Sequence, residues 1–133
     1  MTTAPVAQDE RISTPILVVD DNPQNLKLVR VLLESEGYRV RAAADAEEAL
    51  LVLESLEPDL ILMDLQLPGM DGLEFTRRLK ADPARRKIRI VALTAYAMKG
   101  DRERVLAAGC DGYVAKPVDC NALLRVVEEQ LTR

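Results

Sequence analysis

The chain has 133 residues, a length that fits one domain, and 48% of them are apolar although aromatic residues make up only 3%. Its net charge of −4 argues against nucleic-acid binding, which depends on basic contacts to phosphates, and no apolar run approaches the roughly 20 residues of a membrane span. The absence of histidine excludes catalytic triads built on histidine, His-ligated zinc and a phosphohistidine on this chain. We therefore expect a cytoplasmic protein whose chemistry rests on carboxylates, hydroxyls and lysine.

Short apolar runs, predicted to be strands, alternate along the chain with amphipathic stretches, predicted to be helices. The predicted strands cover residues 16–19, 38–43, 60–63, 88–93 and 112–115. One predicted helix follows each strand, and the last of them begins after Asp119 and continues through Leu131. Residues 1–14 are polar and lack a period, so we expect a flexible N-terminal tail ahead of one domain over residues 15–133.

Two of these elements have distinctive sequence features. Arg39 and Arg41 alternate with apolar residues in the second predicted strand, which indicates a strand at the edge of the sheet. Asp45 and Glu48 have the spacing of a helix capping box, and apolar residues continue at helical spacing from there as far as Leu56. The alternation of strands and helices predicts a parallel sheet with helices on both faces.

Polar side chains follow several of the predicted strands at the point where each strand ends. These residues are Asp20, Asp21, Asp64, Thr94 and Lys116. Because the carboxyl ends of parallel strands meet at one edge of a sheet, where α/β proteins bind their ligands, we expect these side chains to converge. Three carboxylates in one crevice repel each other unless a cation or protons compensate, and ligands that are all oxygen atoms suit Mg²⁺ better than zinc.

These residues, together with segment 64–72 (DLQLPGMDG), resemble the receiver domain of two-component response regulators, the CheY-like superfamily. The resemblance covers residues 15–133 and includes the pairs Thr94–Ala95 and Lys116–Pro117. Within this family, segments 20–23 and 95–101 are most similar to the DivK-type single-domain regulators of bacterial cell division and polarity. The resemblance implies a flavodoxin-like fold of five βα units with strand order 2-1-3-4-5.

The resemblance also implies roles for the acidic residues. Asp64 matches the phosphoacceptor, which receives a phosphoryl group from a histidine. Asp21 would bind Mg²⁺ directly and Asp20 would act through water, with Asp64 and the backbone carbonyl of Gln66 completing the ligands from the protein. Mg²⁺ is accordingly the expected cofactor.

Further roles follow from the same resemblance. Thr94, Ala95 and Lys116 match the residues that stabilise the phosphoryl group, and the peptide bond between Lys116 and Pro117 is expected to be cis. Thr94 and Tyr113 match the pair that switches when the domain is phosphorylated.

We also predict a surface that contacts downstream protein partners. Its residues are Met98, Arg102, Val105 and Tyr113. The expected partners are a sensor histidine kinase or a histidine phosphotransfer protein, together with a protein effector, and no nucleic acid or membrane. The remaining reactive side chains, Cys110 and Cys120, follow no metal or disulfide spacing and are predicted to be small apolar fillers.

The interpretation is therefore a single-domain response regulator that catalyses only its own phosphorylation and dephosphorylation. Four alternatives stay open at this stage. An aspartyl-phosphate hydrolase would need a second carboxylate where the chain has Gln66, and a flavin-binding protein would need a hydroxyl-rich phosphate loop after the first strand. A receiver that does not turn over phosphate would normally lack a residue of the pocket, and a receiver excised from a hybrid kinase would share all these motifs.

Overall fold

Five parallel strands form one sheet in the order β2-β1-β3-β4-β5 in a computed structural model that describes residues 15–67, 71–95 and 100–132. The strands are β1 (Pro15–Val19), β2 (Arg39–Ala43), β3 (Leu60–Asp64), β4 (Arg89–Thr94) and β5 (Gly112–Ala115). The helices are α1 (Pro23–Ser35), α2 (Ala46–Leu53), α3 (Gly72–Ala81), α4 (Asp101–Ala107) and α5 (Cys120–Leu131). The predicted fold class and strand order are confirmed. The tail predicted over residues 1–14 lies outside the described residues.

Helices cover both faces of the sheet because successive side chains of each strand point to opposite sides. On one side, Leu17 and Ile61 pack with Phe75 of α3 and with residues of α2 and α4. On the other side, Ile16 and Leu62 pack with residues of α1 and α5. All five residues of β3 are buried, as expected for a central strand of a parallel sheet.

The edge position of β2 agrees with its sequence pattern. Val40 is buried against α1, whereas Arg39 and Arg41 are exposed. β2 pairs only with β1 in the sheet of the described residues, so the predicted edge strand is confirmed.

The two ends of α2 differ in how closely they follow the pattern of the sequence. The Asp45 carboxylate accepts the Glu48 N–H, as in a capping box, whereas the Glu48 carboxylate accepts the N–H of residue 44, one position before the cap. However, α2 ends at Leu53, and Leu56 lies beyond it. The N–H of Glu54 turns back to a carbonyl three residues earlier, which tightens the last turn, and the proline at position 58 opposes a longer helix.

The two cysteines occupy different environments. Cys110 is buried, with its Sγ atom 3.7 Å from the Thr76 hydroxyl, as expected for an apolar filler. The same prediction is wrong for Cys120, which is exposed at the first position of α5. The buried face of α5 begins at Leu123 and continues at Val127, so the first residue of the helix lies outside the core. In the described ranges, no helix is long and apolar enough to span a membrane.

Candidate functional site

The strand register places two buried carboxylates side by side. Val19 of β1 is aligned with Met63 of β3, so the residues that follow them, Asp20 and Asp64, emerge together at the carboxyl edge of the sheet. The relative exposure of Asp20 is 1% and that of Asp64 is 2%. Thr94, which is 1% exposed, ends the neighbouring strand β4.

Both aspartates are held by the same kind of turn. The Oδ1 atom of Asp20 accepts the N–H of Asn22 at 2.9 Å, and the Oδ1 atom of Asp64 accepts the N–H of Gln66 at 2.9 Å. Such a bond to the backbone two residues ahead fixes the carboxylate as the chain leaves the strand. These two donors were not predicted from the sequence, although an aspartate directly after a buried strand is the signal for such a turn.

Lys116 reaches these carboxylates from β5. Its Nζ atom lies 2.9 Å from the Oδ2 atom of Asp64 and 3.8 Å from the Oδ2 atom of Asp20. Its backbone N–H donates to the carbonyl of Thr94 at 2.8 Å, which ties the end of β5 to the end of β4. The peptide bond between Lys116 and Pro117 is cis, as predicted. The ammonium group therefore contacts the two buried acids together.

The charge on Asp20 is only partly compensated. Burial raises the pKa of the Asp20 carboxyl, and the neighbouring charge of Asp64 adds to this effect, whereas the Asn22 N–H and the ammonium of Lys116 lower the pKa. Within the described part of the chain, the Oδ2 atom of Asp20 has no hydrogen-bond partner, since the 3.8 Å separation from Lys116 is longer than a hydrogen bond. One buried carboxylate oxygen is thus available to a ligand.

The acidic residues have a geometry that suits a divalent cation. One carboxylate oxygen from each of Asp20, Asp21 and Asp64 lies within 4.8 Å of the others. An octahedral Mg²⁺ ion has ligand oxygens about 2.1 Å away, so its ligands lie roughly 3–4 Å from one another. Asp21 is exposed, which leaves the cluster open to solvent on one side. One ion could therefore lie among the three residues, bound by each of them directly or through a water molecule.

The start of α3 packs tightly against the turn after Asp64. A Cβ atom on Gly72 would lie 3.0 Å from the carbonyl oxygen of Asp64 and 3.0 Å from the Cα atom of Leu65. Only glycine permits this approach without displacing the backbone. Asp71 caps α3 through the N–H of Leu73 at 2.9 Å. This close approach at Gly72 was not predicted from the sequence, in which the glycine that follows the Asp71 cap is the signal for it.

The predicted switch residues lie on one face of the sheet. Tyr113 is half-buried and packs against the core that includes α3, and alternate residues of β4 point Thr94 to the same side. Ala95 is exposed directly after Thr94. Thr94 and Tyr113 thus lie on neighbouring strands and on the same face of the sheet, two positions apart in the strand register.

The predicted partner surface is only partly supported. Arg102 of α4 is exposed, as a contact residue should be. Val105 is 2% exposed and belongs to the hydrophobic core, so its assignment to an exposed face is wrong. Val105 lies three residues before the buried Ala108, and both side chains face the sheet. The charged residues around Val105 in the sequence obscured this apolar face of the helix. Met98 lies outside the described residues.

Comparison with known proteins decides the family. The family model of the response regulator receiver domain matches residues 16–128. The chain belongs to the response regulator receiver family. This assignment confirms the resemblance found in the sequence and sets aside the flavin-binding alternative.

This chain matches several relatives over nearly the whole length of each relative. The polar-differentiation response regulator DivK of Brucella anthropi is 42% identical over 116 residues, which are 87% of this chain and 94% of the relative. Among solved structures, a putative response regulator from Chloroflexus aurantiacus superposes with a TM-score of 0.86 at 32% identity, covering 90% of this chain and 98% of the other. The receiver domain of a sensor histidine kinase from Pseudomonas aeruginosa, 41% identical, has a TM-score of 0.82 with the same coverage, and its structure holds a magnesium ion in the active site cleft.

Proposed function

We propose that this receiver accepts a phosphoryl group on Asp64 and signals through protein contacts that depend on phosphorylation. The donor is a phosphohistidine on a sensor histidine kinase or on a histidine phosphotransfer protein. The observation that carries the proposal is the 2.9 Å contact between Lys116 and Asp64 beside Asp20 and Asp21. A buried carboxylate held by a backbone N–H, with a lysine and two more carboxylates around it, suits transfer of an anionic group.

In the proposed reaction, a carboxylate oxygen of Asp64 attacks the phosphorus atom and forms an acyl phosphate. The bond between phosphorus and the histidine nitrogen breaks, and the imidazole leaves with its electron pair. Both reactants are anionic, so positioning and charge stabilisation supply most of the catalysis. Lys116 moves its ammonium contact from Asp64 to an oxygen of the phosphoryl group, and the hydroxyl of Thr94 donates to another. The small side chain of Ala95 leaves the approach open.

We further propose that Mg²⁺ is the cofactor of this reaction. Asp20, Asp21, Asp64 and the backbone carbonyl of Gln66 would hold it, and the available Oδ2 atom of Asp20 supports this assignment. When bound, Mg²⁺ neutralises charge on the phosphoryl oxygens as they approach the carboxylate. Asp21, which faces solvent, would contact the ion directly, whereas Asp20 would act through water.

The proposed role is that of a switch and not of an enzyme that acts on other molecules. The receiver promotes its own phosphorylation and dephosphorylation, and its effect passes to a downstream protein. The relative from Brucella anthropi is named a polar-differentiation regulator, which supports a role in cell polarity or division.

The proposed function is tested by labelling the purified protein with radioactive acetyl phosphate in the presence of Mg²⁺. We expect wild type to be labelled, Asp64→Asn to lose the label, and chelation of Mg²⁺ to have the same effect. Asp59→Asn, the same change at the opposite end of β3, is the matched control and should label normally. Equal labelling of Asp64→Asn and wild type would refute the assignment.

The ligand roles are tested separately by Mg²⁺ titration. Asp21→Asn should weaken Mg²⁺ binding more than Asp20→Asn, because only Asp21 is proposed to contact the ion directly. If Asp20→Asn weakened Mg²⁺ binding more than Asp21→Asn, the roles proposed for the two aspartates would be exchanged.

A further inference from the structure

Positive charge is concentrated in residues 77–89, which cover the end of α3 and the loop that leads to β4. This segment contains seven of the 18 lysine and arginine residues of the chain and one of its 22 acidic residues. The rest of the chain therefore has 11 basic and 21 acidic residues. The segment thus carries a charge opposite to that of the remaining protein.

Only some of these cations pair with an acidic residue in the part of the chain that the structure describes. Three of the seven pair with carboxylates: Arg78 with Glu74, Lys80 with Asp111, and Arg85 with Asp82. Arg77, Arg86 and Lys87 are exposed, and none of them forms an ion pair with a carboxylate in the described ranges. We call these three residues the basic surface.

The backbone holds the basic surface in a defined shape. The ammonium group of Lys80 donates to the carbonyl of Arg86 at 3.3 Å and to that of Ile88 at 2.8 Å, which fastens the loop to α3. The N–H of Arg86 donates to the carbonyl of Asp82 at 2.9 Å. Arg77 lies one turn before Lys80 on the same side of the helix. The loop that carries Arg86 and Lys87 is therefore fastened to the helix that carries Arg77, and this order lowers the entropic cost of binding an anionic partner.

We propose that the basic surface binds an acidic segment of a partner protein. Charges interact over about 8 Å at physiological salt, so a short segment is attracted by the basic surface alone. A nucleic acid or a membrane extends further and meets the negative charge of the rest of the chain. The charge distribution therefore favours a short acidic peptide over these larger polyanions.

An adjoining groove supports the choice of a peptide. It has a volume of about 330 Å³ and lies between the end of α2 and the same loop. Half of its lining is apolar and comes from Leu53, Leu56, Ala84 and Ile88, whereas Glu54 and Glu57 line it on the α2 side and Arg85 on the side of the loop. A groove of this kind accepts an apolar side chain, which a peptide supplies and a nucleic-acid backbone does not. The fitting partner thus has an apolar residue for the groove and acidic residues on the side that faces the basic surface, away from Glu54 and Glu57.

This surface is separate from the proposed phosphorylation site. The loop leads into the amino end of β4 at Arg89, whereas Asp64 and Thr94 lie at the carboxyl ends of their strands. We therefore expect the contact to hold in both phosphorylation states, which goes beyond the proposed switch and does not depend on it.

The test is a fluorescence anisotropy titration with a fluorescein-labelled peptide in which a run of glutamates follows a single leucine. Arg86→Glu/Lys87→Glu should bind roughly 10-fold more weakly than wild type, because two attractions become repulsions. Lys27→Glu/Arg125→Glu is the matched control, since both residues are exposed on other helices and the net charge changes equally. This control variant should bind the peptide with an affinity within about 2-fold of that of wild type. Asp64→Asn should bind as wild type does.

Absence of peptide binding by wild type, or an equal loss in both double variants, would overturn the proposal. Tighter binding to anionic vesicles or duplex DNA than to the peptide would overturn the choice of partner. Arg77→Glu, a single change on the surface of α3, should also weaken peptide binding, and it provides the readout if the loop variant does not fold.

Discussion

Asp20 lies at the end of β1 with 1% of its surface exposed, and its Oδ2 atom accepts no hydrogen bond in the part of the chain that the structure describes. A carboxylate in this position opposes folding when it is charged, because burial removes its hydration. The same oxygen is the feature that fits a cation or an ordered water molecule. The buried charge that destabilises the fold at Asp20 is therefore also the group that suits this position to bind an ion. Such a local cost to stability is common at functional sites.

The raised pKa of Asp20 predicts how stability depends on pH. Between the ordinary value of 3.8 and the raised value, the folded protein binds more protons at this carboxyl than the unfolded chain does. The contribution of Asp20 to stability therefore falls as pH rises through this range and stays unfavourable at neutral pH. Without Mg²⁺, Asp20→Asn should raise the free energy of unfolding at pH 7 by on the order of 1 kcal/mol. The gain should shrink near pH 4.

Urea unfolding with a chelator present, at both pH values, measures this difference. Asp59→Asn, an exposed aspartate, should change the free energy of unfolding little at either pH. A less stable Asp20→Asn protein at pH 7 would contradict the account of this site.

Among the elements, the connection between α3, β4 and β5 rests on a partly buried polar contact. The ammonium group of Lys80 lies 2.9 Å from the Oδ2 atom of Asp111, which also accepts the N–H of Ile90 at 2.8 Å. A Cβ atom on Gly109, whose φ is 110°, would meet the side chain of Lys80 at 2.9 Å. Lys80 therefore joins a helix, a loop and two strands at the amino edge of the sheet.

Lys80→Met should destabilise the protein by about 1–3 kcal/mol, because it removes the ammonium donor and leaves half-buried acceptors without a partner. Lys87→Met is the matched control, since Lys87 is exposed and forms no ion pair with a described carboxylate, and it should have little effect. Thermal or urea unfolding of both variants measures the difference. Equal stability of the two variants would show that the Lys80 contact contributes nothing.

This contact marks the limit of prediction from the sequence. The apolar runs and the residues that end them predict the sheet and the cluster around Asp64, because strand ends in a parallel sheet share one edge. Lys80 and Asp111 are 31 positions apart, and no periodic pattern relates them. The burial of Val105 and the exposure of Cys120 likewise depend on how α4 and α5 are rotated against the sheet, which tertiary packing decides.

At the scale of the whole molecule, the proposed function requires that phosphorylation of Asp64 change a surface that binds a partner protein. Thr94 lies at the carboxyl end of β4, and Tyr113 lies on the neighbouring strand β5 on the same face of the sheet. Movement of the Thr94 hydroxyl toward a phosphoryl group would leave space for the ring of Tyr113. The exposed Arg102 on α4 lies on the surface proposed to respond.

Partner affinity should therefore rise when a stable phosphoryl mimic is bound, by about 5–150-fold, which corresponds to a coupling of roughly 1–3 kcal/mol. Thr94→Ala and Tyr113→Ala should both lose most of this gain. Tyr38→Ala, which changes a half-buried tyrosine next to β2, should keep it. Isothermal titration of a partner identified by pull-down gives the affinities, and a full gain in both test variants would place the switch elsewhere.

The proposed function requires that Asp64 itself carries the phosphoryl group. This is tested by transfer from a phosphorylated histidine kinase to the intact protein, followed by borohydride reduction, which converts an acyl phosphate of aspartate to homoserine. Peptide mass spectrometry then identifies the converted residue. We predict homoserine at position 64 alone, formed only when Mg²⁺ and the phosphorylated donor are both present. Homoserine at another aspartate, or conversion that does not require Mg²⁺, would contradict the account.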